Sequence, residues 1–250
     1  MSLKIHALHL GTLVGIEKAA LTYQRGYDQR VDAPIIMFVI TGGDSPVVVD
    51  TGTDTPGAAL RLHGRAVART ADQEPLAALA SIDVDPADVR TVINTHLHWD
   101  HCSNNDLFPN ARIVVQKSEL EYAIDPLLPN RKTYELQPGA LPRWVAALDR
   151  IETVSGDVDL LPGIRLVHLP GHSPGSQGVL VSTGSTTHLI AGDCVSVYEN
   201  WEGDGHIAHV PTGGLTNMHE YMDSFAKIER LEAAVIPSHD MRVVEQRVFE

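Results

Sequence analysis

Six consecutive positions, His96-Leu97-His98-Trp99-Asp100-His101, hold three histidines and a carboxylate. Imidazole and carboxylate together form a ligand set that suits zinc, and also iron or manganese. The preceding "VRTVIN" reads as a buried strand running into a polar loop. A loop rooted on a strand end holds its side chains to the tolerance a metal needs. In an extended H-x-H both imidazoles project to one side, because side chains alternate with period two. His96 and His98 can therefore grip one ion. Asp100 and His101 follow as the chain turns, and would face a second. Crowding so many polar groups together without a cation is costly.

Two ions need more donors than these four. His172 lies in "LPGHSPGSQG", Asp193 in "LIAGDCV" and His239 in "VIPSHD", each after an apolar run that stops where a strand would end. Taken singly, each has an ordinary reading, a surface or structural histidine or an aspartate in a turn. Taken with the cluster, five histidines and two aspartates suit a two-metal hydrolytic centre.

Such a site needs rigid strands behind it. Short β-rich runs recur as "KIHALHL", "PIIMFVIT", "VVVD", "VRTVINT", "RIVVQ", "IRLVHLP", "GVLVST" and "THLIAGD", most of them bounded by Gly, Pro, Asp or Asn. "TGGDSP" fits a hairpin turn. Helices are expected at "EPLAALASI", at "SELEYAI" with Ser118 as its cap, and at "NMHEYMDSFAKIERLEAA". The last begins with Asn217 and carries Glu220 three residues on, a capping-box-like start. Its Met218, Tyr221, Met222, Phe225, Ile228 and Leu231 follow the rhythm of a one-sided helix. Strands first, then strands mixed with helices, then a similar pattern after about residue 150, fit helices on the outer faces of two sheets. Residues 125–150, with four prolines, read as a loop-and-helix insertion in a single domain spanning 1–250.

The bounds agree with a small-molecule enzyme. The chain has 250 residues, 43% hydrophobic, long enough for a sizeable core. A formal charge of −13 disfavours nucleic acid as a partner. Two cysteines, Cys102 and Cys194, are too few for a disulfide framework. Each adjoins a candidate ligand, so they read either as small core residues or as an oxidation-sensitive pair. No segment has the pattern of a secretion signal or the roughly 20 apolar residues of a membrane span. A cytoplasmic protein that binds no membrane is the expectation.

The H-x-H-x-D-H cluster, "GHSPGS", "AGD", the late "SHD" and the early "VVVDTG" resemble the metallo-β-lactamase superfamily over nearly the whole chain. The resemblance implies an α/β fold, the αβ/βα four-layer sandwich of two mixed β-sheets flanked by helices, with two zinc ions at one edge. It implies that His96, His98 and His172 bind the first metal and Asp100, His101 and His239 the second. Asp193 would bridge both, and Asp50 would order the ligand loops.

Within the superfamily, chain size, "SELEYA", the 125–150 insertion and "DCVSVYENWE" resemble the quorum-quenching lactonases, such as N-acyl homoserine lactonases. Those enzymes usually place a tyrosine three residues after the bridging aspartate. Ser196 stands there in this chain, with Tyr198 two residues on. The implied function is lactone-ring opening by a hydroxide bridging two cations, whose charge lowers the pKa of bound water. Asp100 would move a proton, and Ser196 or Tyr198 would donate a hydrogen bond to developing charge. Trp99, Trp201, His206, His209 and Tyr23 are further candidates for the substrate cleft. A thioester hydrolase resembling glyoxalase II is the alternative, although the chain offers no basic helical extension after His239. A hydrolase of another ester or amide is a further reading. The resemblance is compatible with a monomer or a dimer.

Overall fold

The computed structural model describes residues 2–184 and 186–250. Among these described residues, thirteen strands form two mixed sheets. The first holds β1 (Lys4–Glu17), β2 (Arg30–Thr41), β3 (Val47–Val49), β4 (Val67–Ala68), β5 (Thr91–Ile93), β6 (Arg112–Gln116), β7 (Ile151–Val154) and, from further along the chain, β13 (Val248–Phe249). The second holds β8 (Val158–Leu161), β9 (Ile164–His168), β10 (Gln177–Ser182), β11 (Thr187–Ile190) and β12 (Ala234–Ile236). The first is ordered β13-β1-β2-β3-β5-β6-β7, with β4 on β1, and the second β12-β11-β10-β9-β8.

Alternation along the strands sets the layers. In β2, Ile36, Phe38 and Ile40 meet Leu166, Val179, Val181 and Ile190 of the second sheet in a core between the sheets. Ile35, Met37 and Val39 point the other way, onto Ala59, Ala78 and Leu79 of helices Pro56–His63 and Pro75–Ala80. On the far side, Val167, Leu169 and Leu189 receive Tyr221, Phe225 and Ile228 of helix Met218–Leu231. Helix, sheet, sheet and helix thus stack as four layers. Each apolar side chain buried this way contributes about 1.5–3 kcal/mol.

The helix caps agree in part with the expected ones. Asn217 accepts from the His219 and Glu220 amides at 3.0 and 3.4 Å, as an N-cap should. Met222, though in phase with the apolar stripe, is exposed. Helix Lys117–Ile124 starts one residue before Ser118, so Ser118 does not cap it; its hydroxyl donates to the Pro174 carbonyl instead. The 125–150 segment folds as two 3₁₀ stretches, Leu128–Asn130 and Arg143–Arg150, joined by turns. Among the described residues, no helix is long and apolar enough to cross a membrane.

Strand direction decides where loops gather. β3, β5 and β6 run parallel, as do β11 and β12, and β9 joins β11 in direction through two antiparallel pairings with β10. Asp50 follows β3, the H-x-H-x-D-H segment follows β5, and His172, Asp193 and His239 follow β9, β11 and β12. All seven candidate ligands leave the carboxyl ends of strands.

Candidate metal centre

The loops converge. Donor atoms of His96, His98 and His172 lie within 4.8 Å of one another, as do those of His96, His101 and Asp193, and those of Asp100, His101 and His239. His98 Nδ1 is 3.0 Å from His172 Nε2, and His101 Nε2 is 3.3 Å from His239 Nε2. Asp193 spans the two groups. Its Oδ2 is 3.5 Å from His172 Nε2, while Oδ1 is 3.4 Å from His101 Nε2 and 3.2 Å from His239 Nε2. Asp100 Oδ2 lies 3.9 Å from His239 Nε2.

The partners of the outward nitrogens fix what the inward ones present. His172 Nδ1 donates to the Gly214 carbonyl at 2.5 Å, and His239 Nδ1 to the Pro34 carbonyl at 2.8 Å. His101 Nδ1 donates to Asp50 Oδ2 at 2.8 Å. Thr95 Oγ1 donates to that same oxygen at 2.7 Å, so its lone pairs receive His96 Nδ1 at 3.1 Å. With Nδ1 engaged outward, each of these four imidazoles turns Nε2 inward, the nitrogen that a metal would take. His96 Nε2 is buried and has no hydrogen-bond partner. Lone pairs aimed at one another repel, and a buried acceptor without a donor is costly. Divalent cations satisfy this donor set, and neutral imidazole with carboxylate is the chemistry of their binding.

The two ends differ electrostatically. Burial, reinforced by the neighbouring histidines, holds His96 and His98 well below the ordinary histidine range. Burial also pulls on His101, but Asp193, Asp50 and Asp100 outweigh it and raise the imidazole well above that range. His239 is raised in the same way, chiefly by Asp193. Burial would push the Asp193 carboxyl up, yet His239 and His101 hold it well below the usual carboxylate range.

A second carboxylate has no counterpart in the sequence reading. Glu119, fully buried in the first turn of helix Lys117–Ile124, accepts from the Leu97 amide at 2.9 Å and the Tyr134 hydroxyl at 2.8 Å. It also accepts from Ser173 Oγ at 2.5 Å and the Gly175 amide at 3.2 Å. One side chain thus ties the His96–His98 loop to the His172 loop, and Tyr134 sets its ring edge-on to His98 at 4.7 Å. Two glycines let the His172 loop come this close. A Cβ on Gly175 would lie 2.2 Å from the Glu119 nitrogen, and one on Gly171 would lie 2.5 Å from the Tyr221 Cα. Tyr221 in turn donates to the Asp193 carbonyl at 2.6 Å, and Ser238 Oγ to Asp193 Oδ1 at 2.6 Å.

A cavity of about 320 Å³ opens beside the donors, lined in part by Asp100, Asp193, Ser196, His239 and Trp99. Tyr198 is absent from the lining. Its ring lies under the Arg242 guanidinium, 4.0 Å away, and helix Tyr198–Glu202 starts with it. Trp201, His206, His209 and Tyr23 do not line the cavity either. His209 stacks on Trp201 at 4.1 Å, and its Nε2 lies 3.1 Å from Glu229 Oε1. Cys102 and Cys194 are both buried and fall in separate core clusters, and burial raises both thiols. They are core residues, not an exposed pair.

The chain matches the Metallo-beta-lactamase superfamily over residues 34–239. It is 28% identical to an N-acyl homoserine lactonase of a Bacillus species over 70% of each chain. It is 27% identical to the N-acyl homoserine lactonase AttM of Rhizobium radiobacter over 95% of this chain and 93% of that protein. A crystal structure of a B. thuringiensis AiiA variant, with N-decanoyl-L-homoserine bound at its active site, superposes with a TM-score of 0.77 at 22% identity. That match covers 98% of this chain and 97% of the other. Fold, donor loops and sequence match together place the chain in the metallo-β-lactamase superfamily.

Proposed function

We propose that the protein is a dinuclear metal-dependent hydrolase that opens a lactone ring. The observation that carries this reading is the inward convergence of four Nε2 atoms and both Asp193 oxygens beside a cavity. His96, His98 and His172 would hold one divalent cation, Asp100, His101 and His239 a second, with Asp193 between them. Zinc suits these donors, and so do iron and manganese. Bound there, the cations would supply a hydroxide nucleophile near neutral pH and a Lewis acid for the acyl carbonyl.

The chain's own residues do the rest. Water adds across the acyl–oxygen bond: hydroxyl goes to the carbonyl carbon, a proton to the ring oxygen, and the ring opens to a hydroxy acid. Asp100 lines the cavity and would pass that proton. Ser196 lines the same cavity, and its hydroxyl would offer a hydrogen bond to developing negative charge. Trp99, stacked on His63 at 4.1 Å, forms an apolar wall that excludes water. The similarity to N-acyl homoserine lactonases supports the lactone as substrate class.

The test is acid release by zinc-loaded protein from two matched panels, lactones and thioesters. Turnover confined to lactones is expected. Thioester turnover with inert lactones would replace this reading with a thioesterase of the same centre. Silence on both panels would remove the lactonase reading.

A further inference from the structure

Arg65 and Lys132 also line the cavity. Both are exposed, and among the described residues neither side chain pairs with a carboxylate. Among the described residues Arg61, Arg90, Arg150, Arg230 and Arg247 have no carboxylate partner either, but Arg65 and Lys132 are the two basic residues that line the cavity. Arg25, Arg69, Arg143, Lys227 and Arg242 all have carboxylate partners within 4 Å. Two unpaired cations at the mouth of a cavity focus an attractive potential into it.

Their backbones are held firmly. Arg65 follows the end of helix Pro56–His63, and Lys132 lies in the 125–150 segment. Two residues before Arg65, the buried His63 sets Nε2 3.2 Å from Oε1 of the buried Glu135, three residues after Lys132. Glu135 Oε2 also accepts from the Arg143 amide at 2.9 Å. Gln137 Nε2 donates to the Leu62 carbonyl at 3.0 Å, a second tie between the same segments. Burying such polar groups stabilises little by itself, but it fixes register between the segments they join. The two cations are thereby presented together, next to an apolar wall that includes Leu13, Ile16, Leu21 and Leu215. The volume, about 320 Å³, is at the small end for a ligand pocket.

We propose that the substrate is a compact lactone or ester carrying a carboxylate, which Arg65 and Lys132 hold while the reacting carbonyl lies at the histidine–aspartate cluster. This deepens the hydrolase reading above and rests on it. The Arg65 fork can take both carboxylate oxygens and Lys132 adds a point charge. The carboxylate created by hydrolysis forms at the donor cluster, so the product carries two anionic groups and the cations recognise the one already present.

Matched homoserine lactones test it, one with an N-glutaryl chain ending in carboxylate and one with the isosteric N-glutaramoyl amide. Wild type and the Arg65→Ala/Lys132→Ala double variant are compared by kcat/KM and by calorimetric Kd for the two ring-opened products. Both side chains are exposed, so the variant is expected to fold. Wild type should favour the carboxylate chain by about tenfold or more in both readouts. The ratio should fall to about one in the double variant, and added salt should shrink it in wild type. Equal affinities for the two products, or a preference that survives the double variant, would overturn the proposal. If neither lactone turns over, the lactonase reading fails, and the product affinities still decide whether the cations select a carboxylate.

Discussion

The two ends of the donor cluster are built on opposite principles. At one end, His96 and His98 are buried among other imidazoles and held neutral, and their loop is tied to that of His172 by Glu119, whose oxygens stay on backbone amides and hydroxyls. At the other, His101 and His239 stand among Asp193, Asp50 and Asp100 and hold protons tightly. A cation at the first end would meet ready lone pairs, and one at the second would have to displace protons, so that its affinity would depend on pH. Asp193 belongs to both ends, and is the residue through which they communicate.

The largest effect should come from that shared residue. Asp193→Asn leaves the size of the side chain but removes its charge, and kcat/KM for a lactone should fall on the order of 10³ or more. Elemental analysis should show metal lost from both ends; loss of only one equivalent would break the symmetry claimed for Asp193. Next come the two supporting carboxylates, which should fail differently. Asp50→Asn should weaken the second cation by about 10–100-fold, because Asp50 orients His101 directly, and the first by less, because Asp50 reaches His96 only through the Thr95 hydroxyl. Glu119→Gln should instead lower thermal stability, by about 1–3 kcal/mol for each buried donor left unpaired. Identical metal and stability profiles for the two variants would show that the ends are not separately supported.

Protons sharpen the same contrast. In chelator-treated protein His101 and His239 have pKa values above the unfolded value of about 6.5. The stability they add is fully present below about pH 6.5 and is lost as pH rises through the folded values. Asp193, with a lowered pKa, adds stability above about pH 4 that is lost as pH falls through its folded value. Thermal melts in chelator should therefore decline on the alkaline side, and zinc should remove that decline. A flat alkaline limb in chelator would contradict the assignment.

The smallest effects lie after Asp193. Ser196→Ala should lower kcat by about tenfold or more, since Ser196 lines the cavity beside Asp193. Tyr198→Phe should leave lactone turnover unchanged, because the phenol packs under Arg242. The reverse ranking would put the tyrosine back in the reaction.

What could be read from the chain beforehand follows from range. His96 to His101 are adjacent, and His172, Asp193 and His239 each end an apolar run, so strand ends and donors declare themselves locally. The central strands are legible because β2, β3, β5 and β6 are nearly continuous apolar runs buried on both faces. β7 and β8, "IETV" and "VDLL", carry acidic residues and lie at sheet edges, half-exposed, and their pattern is too short to read. Glu119 looks like any solvated residue in a helical first turn. Its role is set by Leu97, Tyr134, Ser173 and Gly175, which only the fold brings to it. The His63–Glu135 pair is hidden for the same reason, with 72 positions between its partners. The position of Tyr198 off the cavity lining is not legible, because two residues of sequence separation say nothing about the turn from the Gly192–Val195 3₁₀ stretch into the next helix.

Stepwise zinc titration of chelator-stripped protein, followed by calorimetry in buffers of different ionisation enthalpy, tests the central claim most directly. Two binding steps are predicted between about pH 6 and pH 8. One should release almost no protons and vary little with pH, while the other should release protons and weaken as pH falls. A single step, or two steps with equal proton release, would contradict a centre made of one neutral and one proton-holding half.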